Sequence, residues 1–221
     1  MKNEDKNDRA YHYIRNEIIQ GKLKPLDTVD QTLIAKQLEC SRLPVRQALL
    51  RLSLEGLVTY VSNKGAKVTP LSMEDLVEIY SARISLESML AKVGARKCEL
   101  GQILELKRLL DAKKVAVEKQ DSVQFLQLDE RFHDVLYRAS GYLYICSLTD
   151  QLRQRALRYL HVYASSRDHL QSSLDEHTQI VEAIQAKKYE LVGELIKAHI
   201  EKGMEVLAKE ISNTDHLREA E

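Results

Sequence analysis

From Gln31 to Thr69 the sequence runs QTLIAKQLECSRLPVRQALLRLSLEGLVTYVSNKGAKVT, and few folds accept that succession of patterns. A short helical segment breaks at Glu39 and Cys40. It restarts at Ser41, where Arg42, Arg46 and Arg51 accompany an apolar row of Val45, Leu49 and Leu52. Leu57 to Val61 and Ala66 to Thr69 are β-prone runs joined by Ser62, Asn63, Lys64 and Gly65. That spacing predicts a hairpin with a glycine available for positive φ. Helix, turn, basic helix and hairpin together describe a winged helix-turn-helix.

The chemistry of such an arrangement is nucleic-acid recognition. An α-helix fits the major groove of B-DNA, its first turns reach base edges, and its free N–H groups and basic side chains hold phosphates. Ser41 is placed to cap the helix, Arg42 and Arg46, four apart, share one face, and Arg51 is a further basic residue of the same helix. An arginine fork can take guanine O6 and N7 together, worth about 1–3 kcal/mol against a wrong base. Lys64 and Gly65 at the hairpin tip are placed for the adjacent minor groove. A basic helix face by itself is more often simply solvated; the capped turn and the wing decide for DNA.

The charge distribution agrees. The whole chain is neutral, which argues against a nonspecific nucleic-acid coat, but residues 1–70 hold 12 Lys and Arg against 8 acids, and the remainder 21 against 25. Three scattered cysteines indicate neither a disulfide framework nor a thiolate zinc site. With a polar start and no apolar run of membrane-spanning length, a soluble cytoplasmic protein without a membrane partner is expected.

A first helix through Tyr11, Ile14, Ile18 and Ile19 is expected to support the helix-turn-helix and to end at Gly21. Ser72 with Asp75 reads as the start of a new helix, placing a domain boundary between residues 1–71 and 72–221. Beyond it the periodicity predicts six helices: Met73 to about Lys97, Ile103 to Gln120, Phe125 to Ser140, Leu143 to Ala164, Leu170 to Ala186, and Tyr189 to Glu210, then a polar tail. With Gly, Pro and Trp scarce, the fold class is mainly α: a winged helix-turn-helix followed by an antiparallel all-α bundle.

Asp129 and His133 lie four apart on the third of these helices, His177 sits among Leu174, Val181 and Ile184, and His199 among Val192, Leu195 and Val206. Any one of these histidines is better explained as a satisfied core residue. Together, three imidazoles and a carboxylate on three helices form the donor set a borderline divalent metal takes in a bundle.

Residues 9–70 resemble the DNA-binding domain of the GntR family of bacterial transcription regulators. The resemblance rests on Ser41-Arg42, Pro44-Val45-Arg46, Ala48-Leu49, Arg51-Leu52, Glu55-Gly56-Leu57-Val58, Lys64-Gly65 and the run Ile19 to Pro25. The sequence departs at Thr32, Glu39, Cys40 and Leu43, where the family has arginine, glycine, valine and threonine. Two family DNA contacts are thereby missing, which implies an operator preference of its own. The rest resembles the FCD ligand-binding domain of the FadR-type branch, through Asp129-Glu130-Arg131-Phe132-His133, Glu176-His177 and Ala198-His199. That resemblance implies a divalent metal at Asp129, His133, His177 and His199, commonly zinc and sometimes nickel or another ion. It also implies a small organic acid bound beside the metal through its carboxylate.

Arg83, in line with Leu76, Tyr80 and Leu90, is a candidate for that carboxylate, with an intrahelical pair to Glu87, worth about 0.3 kcal/mol, as the equal alternative. Arg155, Tyr163 and Ser173 are weaker effector-site candidates. The function expected is a ligand-responsive regulator, with no enzymatic activity, whose homodimer meets a short double-stranded palindrome. The alternatives are a metal-dependent hydrolase, which would lack an obvious general base, and a helical domain that serves only for dimerisation.

Overall fold

Asp5 starts the first helix, α1 (Lys6–Ile19), by accepting from the backbone N–H of Asn7 at 3.3 Å. The computed structural model describes residues 5–61, 65–159 and 166–219. The chain divides into two units, Met1–Ser72 with Gln154–His161, and Met73–Arg153 with Val162–Glu221.

In the first unit α1 buries Ala10, Tyr11, Ile14 and Ile18, one helical face, and Gly21 ends that segment at φ +68°. Helix α2 (Gln31–Gln37) is capped by Asp30, which accepts from Thr32 and Leu33 at 2.8 and 3.1 Å. Helix α3 (Arg42–Leu54) packs Val45, Ala48, Leu49 and Leu52 inward. Full burial of such side chains contributes about 1.5–3 kcal/mol each, which makes the α1–α3 contact the core of this unit. Strands β1 (Val58–Val61) and β2 (Gly65–Val68) pair antiparallel, Val58 opposite Val68 and Tyr60 opposite Ala66. Gly65 lies at φ +78°, as the wing reading required. Glu39, between α2 and α3, lies at φ +49°, a left-handed conformation that costs a non-glycine residue about 1 kcal/mol.

The described residues of Gln154–His161, expected in the helical domain, group with this first unit. The reason is Tyr159, which is fully buried; its hydroxyl donates to the Ser72 carbonyl at 3.1 Å and lies 3.4 Å from the Ser72 backbone nitrogen.

The second unit contains, among the described residues, α4 (Met73–Lys97), α5 (Leu100–Glu118), α6 (Ser122–Arg138), α7 (Leu143–Ala156), α8 (Arg167–Gln185) and α9 (Tyr189–Glu219). Helix α7 stops at Ala156 and gives way to a 3-10 turn, Leu157–Tyr159, short of the expected Ala164. Helix α9 runs to Glu219, past the expected Glu210, because Ile211 is still buried and no Gly or Pro stands between Glu210 and Glu219. Ala116 and Val117 of α5, Phe125 of α6, and Leu170 and Leu174 of α8 form one apolar cluster. Helices α4 and α6 touch backbone to side-chain position: a Cβ built on Gly94 would lie 2.0 Å from the Leu136 carbonyl oxygen. No helix among the described residues is long and apolar enough to cross a membrane.

Candidate metal centre and reading helix

Helix α3 hides its apolar face and turns Arg42, Leu43, Arg46 and Gln47 to solvent. Arg42 and Arg46 form no ion pair among the described residues, so both guanidinium forks are uncommitted. Ser41 occupies the N-cap position as expected, but its side chain makes no capping hydrogen bond and is exposed. Arg51 is different. Its Nε lies 3.3 Å from Glu55, its Nη1 3.5 Å from Asp8, and its guanidinium 3.7 Å above the Tyr11 ring, so it braces α3 against α1. Tyr11 completes the brace by donating to Glu55 at 2.9 Å. Gly65 is exposed with open space around it; Lys64 lies outside the described residues.

In the second unit the three histidines converge. One ring nitrogen from each of His133 on α6, His177 on α8 and His199 on α9 lies within 4.8 Å of the others. His133 and His177 are buried, and burial drives their pKa values well below the usual histidine range, so both are neutral imidazoles with a lone pair to give.

Which nitrogen holds the proton is set by the surroundings. Tyr137, on α6, donates its hydroxyl to Glu87 at 2.7 Å and lies 3.0 Å from His133 Nδ1. The phenolic proton being spent on Glu87, the Tyr137 oxygen accepts from His133 Nδ1–H. The His133 Nε2 lone pair is left facing inward, 3.6 Å from Asp129. On the far side, Glu176 accepts from His199 Nδ1–H at 2.6 Å, which frees the His199 Nε2 in the same way. Burial opposes the ionisation of Glu176, but the His199 and Lys202 hydrogen bonds outweigh it and lower its pKa to about 2. His177 Nε2 is buried without a hydrogen-bond partner among the described residues. An orphaned imidazole nitrogen beside two imidazoles fixed in the metal-binding tautomer is a donor set a divalent ion fits.

Asp129 fits that set less simply. Its carboxylate accepts from Lys113 Nζ at 2.7 Å, and the same ammonium touches His177 Nδ1. Lys113, on α5, is 0% exposed and lies 4.4 Å from the Phe125 ring centroid. Burial pulls the lysine pKa down and pushes the carboxyl up; Lys113 and the three histidines together outweigh burial and hold Asp129 well below the carboxylate range.

Of the effector candidates, Arg83 is committed to Glu87, Nε to Oε1 at 2.7 Å, which realises the intrahelical alternative. Arg155 groups with the first unit, where its stem packs beside Gly56. Ser173 is buried on α8, one turn before His177. Tyr163 lies outside the described residues. A second cation near the ring cluster, besides Lys113, is Arg153, whose guanidinium is 6.0 Å from the Tyr137 ring centroid and whose charge bears on His133 and Lys113. Two positions on a helix turn a side chain through about 200°, so Arg153 and Arg155 face opposite ways.

Comparison with known proteins follows the same division. Residues 6–68 match the bacterial regulatory proteins of the gntR family, and residues 78–202 match the FCD domain. The HTH-type transcriptional repressor GlaR of Escherichia coli is 26% identical over 201 residues, spanning 86% of this chain and 90% of the relative. An HTH-type transcriptional regulator from the TAR-I ttuE-ttuC' intergenic region of Agrobacterium vitis is 38% identical over 132 residues, 58% of this chain and 76% of that protein. The solved structure of E. coli McbR/YncC has a TM-score of 0.82 at 23% identity, covering 94% of this chain and 99% of that one, a likeness of fold.

Proposed function

Because the chain belongs to the gntR family of bacterial regulatory proteins and carries an FCD domain, it is a transcription regulator rather than an enzyme. We propose that a small organic acid, held at a divalent metal among His133, His177 and His199, sets its affinity for a short palindromic operator. The observation that carries this reading is the convergence of three imidazoles, two of them locked by Tyr137 and Glu176 with the metal-binding nitrogen bare. Zinc is the first choice for such ligands, with nickel as the other. When bound, the ion supplies a concentrated positive charge to which a carboxylate is drawn.

The chain's own residues do the rest. Arg153 orients the acid, its fork suited to a carboxylate, and Ser173 offers a buried hydroxyl on the His177 face. A homodimer presents two copies of α3 to a two-fold operator, with Ser41, Arg42, Arg46 and Gly65 against DNA. Acid binding changes operator affinity by the coupling free energy between the two sites, typically about 1–3 kcal/mol.

Elemental analysis of the purified protein, followed by gel-shift titration on a selected operator with a panel of carboxylic acids, tests this. Stoichiometric divalent metal and an acid-dependent shift that disappears on chelation are expected. A metal-free protein, or an acid response indifferent to chelator, would sink the sensing half and leave the DNA reader standing.

A further inference from the structure

Lys113 is the least accommodating residue in the second unit. It has no solvent access, yet it lies inside the cluster that the metal reading assigns to an ion. Its ammonium hydrogen-bonds Asp129 Oδ1 at 2.7 Å and His177 Nδ1, and is lined by Phe125 and Phe132 with ring centroids at 4.4 and 5.6 Å. A buried cation bonded to a carboxylate and an imidazole satisfies the electrostatic need that a metal ion would satisfy there.

Two consequences follow from the donor arrangement. An ammonium has three protons and no lone pair, so His177 Nδ1 accepts from it, and the remaining imidazole proton sits on Nε2, where it blocks ligation. Asp129 meanwhile spends its near oxygen on Lys113. Resting on the metal reading above, we infer that Lys113 is a built-in competitor of the divalent ion. It draws Asp129 Oδ1 away from the ion, so that in wild type the three histidines carry most of the binding, and it must release His177 before the ion is held. The site is thereby a weak, displaceable metal site for its donor content, one in which an internal cation and an external one exchange.

The test is Zn²⁺ alone, titrated against a chromophoric chelator into the full chain. Lys113→Met, of similar length and uncharged, frees both groups, and binds Zn²⁺ about tenfold tighter than wild type or more. Asp129→Asn then weakens Zn²⁺ by about tenfold in the Lys113→Met background and by less than about threefold in wild type. Equal or weaker zinc binding by Lys113→Met, or an equal Asp129→Asn effect in both backgrounds, overturns the inference and leaves the metal reading intact. Absence of zinc from both proteins overturns the two together. Should Lys113→Met fail to fold by circular dichroism, Lys113→Gln is held to the same criterion of tighter binding.

Discussion

Tyr137 donates its phenolic proton to Glu87 at 2.7 Å, from α6 to α4, and by that bond decides which nitrogen of His133 is left bare. Arg83 holds Glu87 from the other side, so the chain Arg83, Glu87, Tyr137, His133 begins in a charge pair and ends at a ring of the histidine cluster. Burial, with the Glu87 charge next, drives the Tyr137 pKa well above the ordinary tyrosine range, so the phenol stays protonated and the direction of the bond is fixed.

Tyr137→Phe removes that link. The buried Glu87 loses a donor and His133 an acceptor, at a cost of about 1–3 kcal/mol in stability and about tenfold or more in metal affinity. Denaturant unfolding and chelator competition measure the two; metal affinity equal to wild type would show that the hydroxyl does not orient the ring.

Arg46→Ala tests the reading helix. With its fork exposed and unpaired among the described residues, Arg46 has no fold to support, so operator affinity falls by about 1–3 kcal/mol while the melting temperature and metal content stay put. Gel shifts on specific and scrambled DNA check it. Arg51→Ala behaves oppositely, losing stability through its contacts with Tyr11, Asp8 and Glu55.

Glu39→Gly stabilises the first unit by about 1 kcal/mol, since the residue is exposed and its φ of +49° is strained for any side chain but free for glycine. Thermal melts of the two proteins decide; a lower melting temperature for the glycine variant contradicts the strain argument.

Alkaline pH unlocks the brace on α1. Burial first, then the charge and hydrogen bond of Glu55, raise the Tyr11 pKa to about 12 against an ordinary 10. A phenol whose folded pKa is raised contributes stability that is whole below about pH 10 and is lost as pH climbs through about 12. The drop in melting temperature between pH 9 and pH 11 is therefore larger in wild type than in Tyr11→Phe.

Much of the architecture was legible because period and punctuation agree. The α2–α3 break, the wing glycine and the inward phase of His133, His177 and His199 all follow from spacing. Charge identity conceals some placements that phase marks. Lys113 falls in register with Leu106, Leu109 and Val117, which marks an inward position, but a lysine beside Lys114 looks solvated. Arg155 and Arg153 differ only in helical phase near the end of α7, where the chain leaves one unit for the other. Arg51 matched a DNA-binding pattern, and its attachment to Asp8 and Tyr11, some forty residues away, has no local signature.

Gly94 carries a consequence for how this helical domain can diversify. Because the Leu136 carbonyl already fills the space a methyl group would need, the spacing of α4 and α6 is set by bare main chain. The gap between Glu87 and Tyr137 is thus a fixed gauge, and relatives built on the same crossing can retune the chemistry of the ring cluster only by exchanging side chains around it, never by widening the seam.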